Sequence, residues 1–366
     1  MRVVIAGGGT GGHLYPGIAV ARELMARDAG AQVTFAGTAA GIESRVLPRE
    51  GLTLDVIRSS GLKGKSLATR VRAALQLPSS FADAWGVISR RRPQLVIGVG
   101  GYSSGPVVLA AALRGIATMV LEQNAVPGLT NRLLAPFVRA AAVTYDSTRS
   151  FFGEKAVVSG NPVRPEFFQI VGPSAREADA NDGSAVVRVL VFGGSQGAHA
   201  VNVAMVEAAA ELAAHRPHLR VTHQTGERDV EMVRAGYRTA GIQADVEPFF
   251  YDMGRQLGNA DLIVCRAGAT TLAEVAAAGR PAILIPLPTA TDDHQRKNAE
   301  VWSMAGAAEM VLQAHTTGST LAKRILALAA DGTARSRMAR AAHLLARPDA
   351  AKVIVDRALE LIGRAG

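Results

Sequence analysis

Short β-branched runs alternate along this chain with glycine turns and helix-like segments. The opening strand Val3-Val4-Ile5-Ala6 enters Gly7-Gly8-Gly9-Thr10-Gly11-Gly12-His13, and Ile18, Ala19, Leu24 and Met25 then share one helical face. Further strands are expected at residues 32–36, 52–57, 94–99, 118–121, 142–145 and 156–158, with helical stretches between most of them, the order of parallel βαβ units. Residues 171–186 are small and polar without periodicity, and read as a linker or a variable surface loop. The opening pattern then returns. Residues 187–192 form a strand, 193–198 a glycine turn, and Val201, Met205 and 208–212 a helix, with strands to follow at 220–224, 262–265 and 282–286. Two strand–glycine loop–helix openings predict an α/β protein of two Rossmann-like domains facing one another.

Composition narrows the class. At 366 residues and 48% hydrophobic, the chain is long enough for two cores. The single cysteine, Cys265, allows neither an intrachain disulfide nor a cysteine-based zinc site. Neither a signal peptide nor an apolar run of about 18 residues is expected. The net charge of +9 is unevenly spread: residues 1–163 hold 18 Lys+Arg against 9 Asp+Glu, and the remainder holds 22 of each. An anionic partner for the first domain alone follows, either nucleic acid or an acidic membrane surface. With five Tyr, two Trp and no RNA-binding aromatic signature, the membrane is preferred and nucleic acid is not expected.

Gly7-x-Gly9-x-x-Gly12 matches the dinucleotide fingerprint, but the second strand ends Phe35-Ala36-Gly37-Thr38 without the acidic residue that holds a ribose, which argues against an NAD enzyme. What remains is backbone N–H groups at a helix N-terminus, able to accept an anion or simply to pack tightly. The second loop adds Ser195 and Gln196 as donors. His13, in a polar loop where a helix begins, suits a general base, a phosphate ligand or a structural histidine, the positive helix end favouring neutral imidazole. Residues 100–106, with Tyr102, and Glu122-Gln123-Asn124 follow strands and so reach the ligand-binding edge, where a carboxylate and amides suit sugar hydroxyls or ordinary turns. Arg164 closes the first domain as a cation at the mouth of a cleft or a surface arginine. In 265–274, Thr270 or Thr271 can cap a helix or donate to phosphate, and Glu274 can accept ribose hydroxyls or cap. No Asp-x-Asp or metal triad is present, so a leaving diphosphate must be met by backbone dipoles, hydroxyls and arginine, with no cofactor.

Gly-Gly-Thr-Gly-Gly-His at 8–13, Gly-Gly-Tyr-x-Ser-Gly-Pro at 100–106, Glu-Gln-Asn at 122–124, Gly-Asn-Pro-Val-Arg at 160–164, Gly-Gly-Ser-Gln-Gly-Ala at 193–198 and Cys-Arg-x-Gly-Ala-x-Thr at 265–271 occur in that order. Together they closely resemble the MurG family of peptidoglycan N-acetylglucosaminyltransferases, glycosyltransferase family 28, over nearly the whole chain. The resemblance implies the GT-B fold: two Rossmann-like domains (1–163 and 187–345) facing a deep cleft, a linker at 164–186, and a C-terminal helix within 346–366 packing back on the first domain. It implies a hexosyltransferase moving N-acetylglucosamine from UDP-N-acetylglucosamine to lipid I, the undecaprenyl-linked acceptor, with inversion and without metal, at the cytoplasmic face of the cell membrane and beside other cell-wall synthesis proteins. Another GT-B glycolipid transferase or a UDP-N-acetylglucosamine epimerase is the alternative. Donor contacts carry over to Thr10, Gly11, Gly12, Asn124, Arg164, Ser195, Gln196, Phe250, Ala269, Thr270, Thr271, Leu272, Ala273, Glu274 and Gln295. Glu274 would hold the ribose, Ser195 a phosphate, Gln295 the sugar, and the Phe250 backbone the uracil. Tyr102 and Glu122 fall on the acceptor side. Many members have His where this chain has Leu121, so the base assignment rests on His13. Residues 63–92 combine Lys63, Lys65, Arg70, Arg72 and Arg90 to Arg92 with Leu75, Leu77, Phe81, Trp85 and Ile88, a basic amphipathic stretch suited to anionic lipid or to a core-facing helix with a charged outer face.

Overall fold

Runs of Val, Ile, Leu and Ala without a polar face become strands covered on both sides, as a parallel sheet requires. A computed structural model describes residues 1–59, 76–169, 186–194, 196–214 and 219–363. The chain divides into one unit of Met1–Arg164 with Arg347–Gly366 and a second of Pro165–Ala346. In the first unit β1 (Arg2–Gly7), α1 (Gly11–Arg27), β2 (Gln32–Gly37), α2 (Glu43–Arg49), β3 (Thr53–Val56), α3 (Leu77–Arg91), β4 (Leu95–Gly100), α4 (Ser104–Leu113), β5 (Ala117–Glu122), α5 (Leu129–Leu134), β6 (Ala140–Val143), α6 (Asp146–Phe152) and β7 (Ala156–Val158) follow one another. The seven strands pair in parallel in the order β3-β2-β1-β4-β5-β6-β7. Alternation along β1 divides the core: Val3 and Ile5 join Leu14, Ile18 and Leu24 of α1, while Val4 and Ala6 join Ala84, Val87 and Ile88 of α3 and Val107 and Val108 of α4.

The second unit holds β8 (Val187–Phe192), α7 (His199–Ala213), β9 (Leu219–Gln224), α8 (Val230–Ala240), β10 (Ala244–Glu247), α9 (Met253–Asn259), β11 (Leu262–Cys265), α10 (Ala269–Ala278), β12 (Ala282–Leu284), α11 (His294–Met304), β13 (Ala308–Met310), α12 (Gly318–Ala330) and α13 (Gly332–Leu344). Its described sheet is again parallel, ordered β10-β9-β8-β11-β12-β13. Strand order reverses between β1 and β4 in one unit and between β8 and β11 in the other. Such switch points open a crevice at the strands' C-terminal ends.

The fold class is the expected one, with local differences. β10 and β13 are short edge-side strands, and the half-exposed sequence of β10 gives little periodic signal. β6 starts at Ala140, two residues ahead of expectation, because Tyr145 already serves as the N-cap of α6. The second unit begins at Pro165, since Phe167 is fully buried there; most of the 171–186 stretch lies outside the described residues. The chain ends with α14 (Ala350–Gly363), whose Ile354, Val355, Ala358 and Leu361 share the first unit's core with α1. Arg27 of α1 pairs with Asp356 of that helix. Among the described residues no helix is long and apolar enough to cross a membrane.

Candidate active site

At the first unit's switch point two glycine loops meet. Gly100 and Gly101 have φ of +97° and +80°; a Cβ on Gly101 would strike the Gly8 carbonyl, and one on Gly100 would strike the His13 ring. His13 is half-buried in the first turn of α1, its Nδ1 3.4 Å from Thr10 Oγ1. Thr10 is the exposed N-cap residue, and its side chain does not cap the helix that Gly11 and Gly12 begin. The Arg164 guanidinium lies 5.6 Å from the centre of the Tyr15 ring on the same helix. Tyr102 stands in the loop after β4 with its ring partly exposed.

The structure corrects the acceptor-side expectation for Glu122. Its side chain is buried, and both oxygens are engaged: Oε1 accepts from Asn124 N–H (3.0 Å) and Asn124 Nδ2 (3.2 Å), Oε2 from Gly128 N–H (2.9 Å) and Asn131 Nδ2 (2.8 Å). Desolvation pushes its pKa up against the pull of these bonds. Glu122 therefore shapes the loop that presents Asn124. Gln123 points inward as well, its Nε2 donating to the Val99 carbonyl at 3.0 Å.

In the second unit, the loop after β8 turns through Gly194 and Gly197 at φ +95° and +73°. Ser195 lies outside the described residues; Gln196 beside it is exposed. Beneath the loop, Gln224 Nε2 donates to the Gly194 carbonyl (2.8 Å) and its Oε1 accepts the Phe250 N–H (3.1 Å). The Phe250 side chain is buried, flanked by an edge-to-face pair of Phe249 and the exposed Tyr251. Deeper still, Tyr237 O–H lies 2.8 Å from His223 Nδ1, and His223 Nε2 lies 3.0 Å from Asn202 Oδ1. Asn202 Nδ2 in turn donates to the Thr225 carbonyl and to Asp229, which also meets His199. Burial lowers the His223 pKa to about 3, so the ring is neutral.

After β11, Gly268 is the N-cap of α10, so Thr270 and Thr271 lie inside the first turn rather than at the cap position. Ala269, Thr270, Thr271, Ala273 and Glu274 are partly exposed along the first turns, whereas the Leu272 side chain is buried and faces the core. Gln295 at the start of α11 accepts the Leu287 N–H on Oε1 at 3.0 Å, which leaves its amide nitrogen turned the other way. Buried Arg266 ties the adjoining segments together, donating to the Ile285 and Pro286 carbonyls and to Gln313 Oε1. Among the described residues no group of three or more His, Cys, Asp or Glu is placed to hold a metal ion.

The expected membrane stretch is split. Residues 63–72 and Leu75 lie outside the described residues. On α3, Leu77 and Trp85 face outward, Trp85 being 43% exposed with the Arg114 guanidinium 5.0 Å over its ring, while Phe81 is partly buried against Trp85 and the core. Ile88 is a core residue and leaves the proposed surface. Arg91 pairs with Asp55, so its charge is partly compensated.

Glu43, Gln224 and Asn131 carry no signal in the sequence: each is a buried polar side chain that bonds nearby backbone groups and stands in none of the motifs. Arg266 lies within the 265–271 motif, but its tie to Ile285, Pro286 and Gln313 shows only in the structure.

Comparison with known proteins bears on the same residues. The glycosyltransferase family 28 N-terminal domain matches residues 3–143, and the family's C-terminal domain matches residues 188–354. A Geotalea uraniireducens protein named UDP-N-acetylglucosamine--N-acetylmuramyl-(pentapeptide) pyrophosphoryl-undecaprenol N-acetylglucosamine transferase is 48% identical over 97% of both chains. An Anaeromyxobacter sp. (strain K) protein of the same name is 46% identical over 100% of this chain and 94% of its own. The crystal structure of Acinetobacter baumannii MurG superposes with a TM-score of 0.78 at 32% identity, covering 97% of this chain and 98% of that one. Glycine loops at both switch points, family domains matched in both units and near full-length identity to two such transferases together make this chain a member of glycosyltransferase family 28, in its MurG branch.

Proposed function

We propose that this protein transfers N-acetylglucosamine from UDP-N-acetylglucosamine to the 4-hydroxyl of N-acetylmuramyl-(pentapeptide)-pyrophosphoryl-undecaprenol, giving lipid II and UDP for peptidoglycan synthesis. The observation that carries the reading is 48% identity across 97% of both chains to a transferase of that name. The 4-oxygen attacks C1 of the α-linked donor as a base takes its proton; the C1–oxygen bond to the β-phosphate breaks, and UDP leaves with that electron pair. His13 is the base, on the strength of its place at the head of α1, half-buried beside Thr10. Its Nδ1 lies 3.4 Å from the Thr10 hydroxyl. Arg164, Ser195 and the backbone of the second loop meet the charge on the departing diphosphate without a metal ion. Glu274 accepts the ribose hydroxyls, the amide nitrogen of Gln295 reads the sugar, and the Phe250 segment holds uracil; Asn124 completes the donor contacts from the loop that Glu122 shapes.

The protein is peripheral to the cytoplasmic face of the membrane in this reading, held by Leu77, Phe81 and Trp85 and by the positive first unit. UDP release from UDP-N-acetylglucosamine, with and without a lipid I analogue in excess EDTA, tests the whole. Release that requires the acceptor and ignores EDTA is expected, with one N-acetylhexosamine added to the product mass. Release without acceptor would indicate an epimerase or hydrolase instead, and dependence on added magnesium would remove the metal-free account of the leaving group.

A further inference from the structure

We propose that Glu43 is a positioning residue of this reaction, its carboxylate holding the first glycine loop in the shape that presents Thr10 and His13; this rests on the reading above that the loop serves the transfer step. Glu43 opens α2 yet turns inward and is 0% exposed. Its Oε2 accepts the Gly9 N–H at 2.7 Å, and its Oε1 accepts both the N–H and the hydroxyl of Thr38, at 2.8 and 2.9 Å. One carboxylate thus ties the loop after β1 to the loop after β2. Three glycines make room for it: a Cβ on Gly8, Gly37 or Gly41 would stand 3.0 Å or closer to its carboxyl oxygens.

Two consequences follow. The Gly9 N–H, which the fingerprint would offer to a phosphate, is already bonded to a resident anion. The held loop also backs the floor of the His13 side chain, since Gly100 abuts the His13 ring and the Gly8 carbonyl abuts the neighbouring Gly101. A shift of Gly8 or Gly9 would therefore move the surface on which the imidazole rests. Burying a carboxylate is costly, and filling the space with apolar atoms would stabilise the fold at least as well. What the carboxylate adds is direction: three donors on two loops fixed to one planar acceptor.

Glu43→Gln keeps the volume but turns an NH₂ group against an N–H donor, breaking the bond to Gly9 or those to Thr38. Thr38→Val removes the hydroxyl bond alone. Acceptor-dependent UDP release and UDP binding by calorimetry are to be measured for both, beside His13→Ala. We expect Glu43→Gln to lower kcat about 100-fold, as a loop misplaced by about 1 Å would, with UDP affinity unchanged, and Thr38→Val to lower kcat several-fold with the same signature. Unchanged kcat in both variants overturns the proposal, as does loss of kcat and UDP affinity in proportion, which would make Glu43 a support of the fold only. If His13→Ala alone is inactive, Glu43 falls and the base assignment stands. If Glu43→Gln collapses kcat while His13→Ala does not, the base assignment falls and the loop's positioning by Glu43 stands.

Discussion

The glycine loop after β1 and the glycine loop after β8 hold the same place in their two sheets, each at the strand where the order reverses. Their supports differ. Under the first lies a buried carboxylate, Glu43, which takes a loop N–H; under the second lies a neutral amide, Gln224, which gives a hydrogen to a loop carbonyl. A buried negative charge opposes a second anion nearby, whereas a neutral amide does not. The same glycine-rich text is thus built for different tasks, and the residue behind a loop decides which. In the proposed reading the phosphates of the donor go to the second loop, while the first serves the reacting hydroxyl through His13.

The largest expected effect tests that division at the chemistry. His13→Ala should lower kcat by about 10² to 10⁴-fold, the usual worth of a positioned base, while UDP affinity measured by calorimetry stays unchanged. A loss of UDP affinity instead would bring the donor phosphates to the first loop and dissolve the contrast.

The contrast also predicts how acid affects the second unit. Burial holds the His223 pKa at about 3, against about 6.5 when unfolded. Between these values the unfolded chain binds a proton that the native chain does not, so stability rises with pH and is lost as pH falls from 6.5 toward 3. The ring cannot relieve this locally: it faces Tyr237 and Asn202, and Asn202 continues to Asp229 and His199. In denaturant titrations, the stability gap between the native chain and His223→Gln should shrink by about 2 kcal/mol between pH 7 and pH 5. A constant gap would place His223 in contact with water.

How far these features could be read in the sequence depends on whether they are periodic. Strands such as 187–192 and 262–265 announce themselves because both faces are buried, and the motifs at 8–13, 193–198 and 265–271 stand out because glycines must cluster where backbones approach. Ala244–Glu247 stayed hidden because an edge strand needs little apolar surface. The supports of the site were hidden for a different reason. No acid stands at the end of β2, where a dinucleotide ribose would need one; the buried acid bonded to Gly9 enters instead from α2, five residues beyond Thr38, and no spacing rule relates it to Gly9. Glu122 was visible as a polar residue at the right edge, yet only coordinates show that its four donors turn it away from a ligand.

A smaller effect sharpens the donor half of the comparison. Gln224→Leu removes the bridge from Gly194 to Phe250 and leaves the buried Phe250 N–H unpaired, at a cost of about 1–3 kcal/mol, while the Gly194 carbonyl keeps the Gly197 N–H. UDP affinity should fall by about tenfold, since base and diphosphate contacts lose their common support, while kcat at saturating donor changes little. This is the converse of the pattern expected for Glu43→Gln. Matching patterns in the two variants would mean that both loops act on one step.

The smallest expected effect concerns the surface on which the units differ most, the net charge of +9 that the first 163 residues carry alone. Trp85 is only 43% exposed and already lies under Arg114, so it offers a lipid surface part of one ring. Trp85→Ser should weaken binding to vesicles containing anionic lipid by about fivefold, near 1 kcal/mol for the apolar area withdrawn. Raised salt should weaken the native chain and the variant alike, because it screens the basic charges and not the ring. UDP affinity should not change, since Trp85 lies on α3 of the first unit and the contacts proposed for the base and ribose lie on the second. Equal binding of native protein to neutral vesicles would leave the charge asymmetry without a role at the membrane, and the comparison would then rest on the two glycine loops alone.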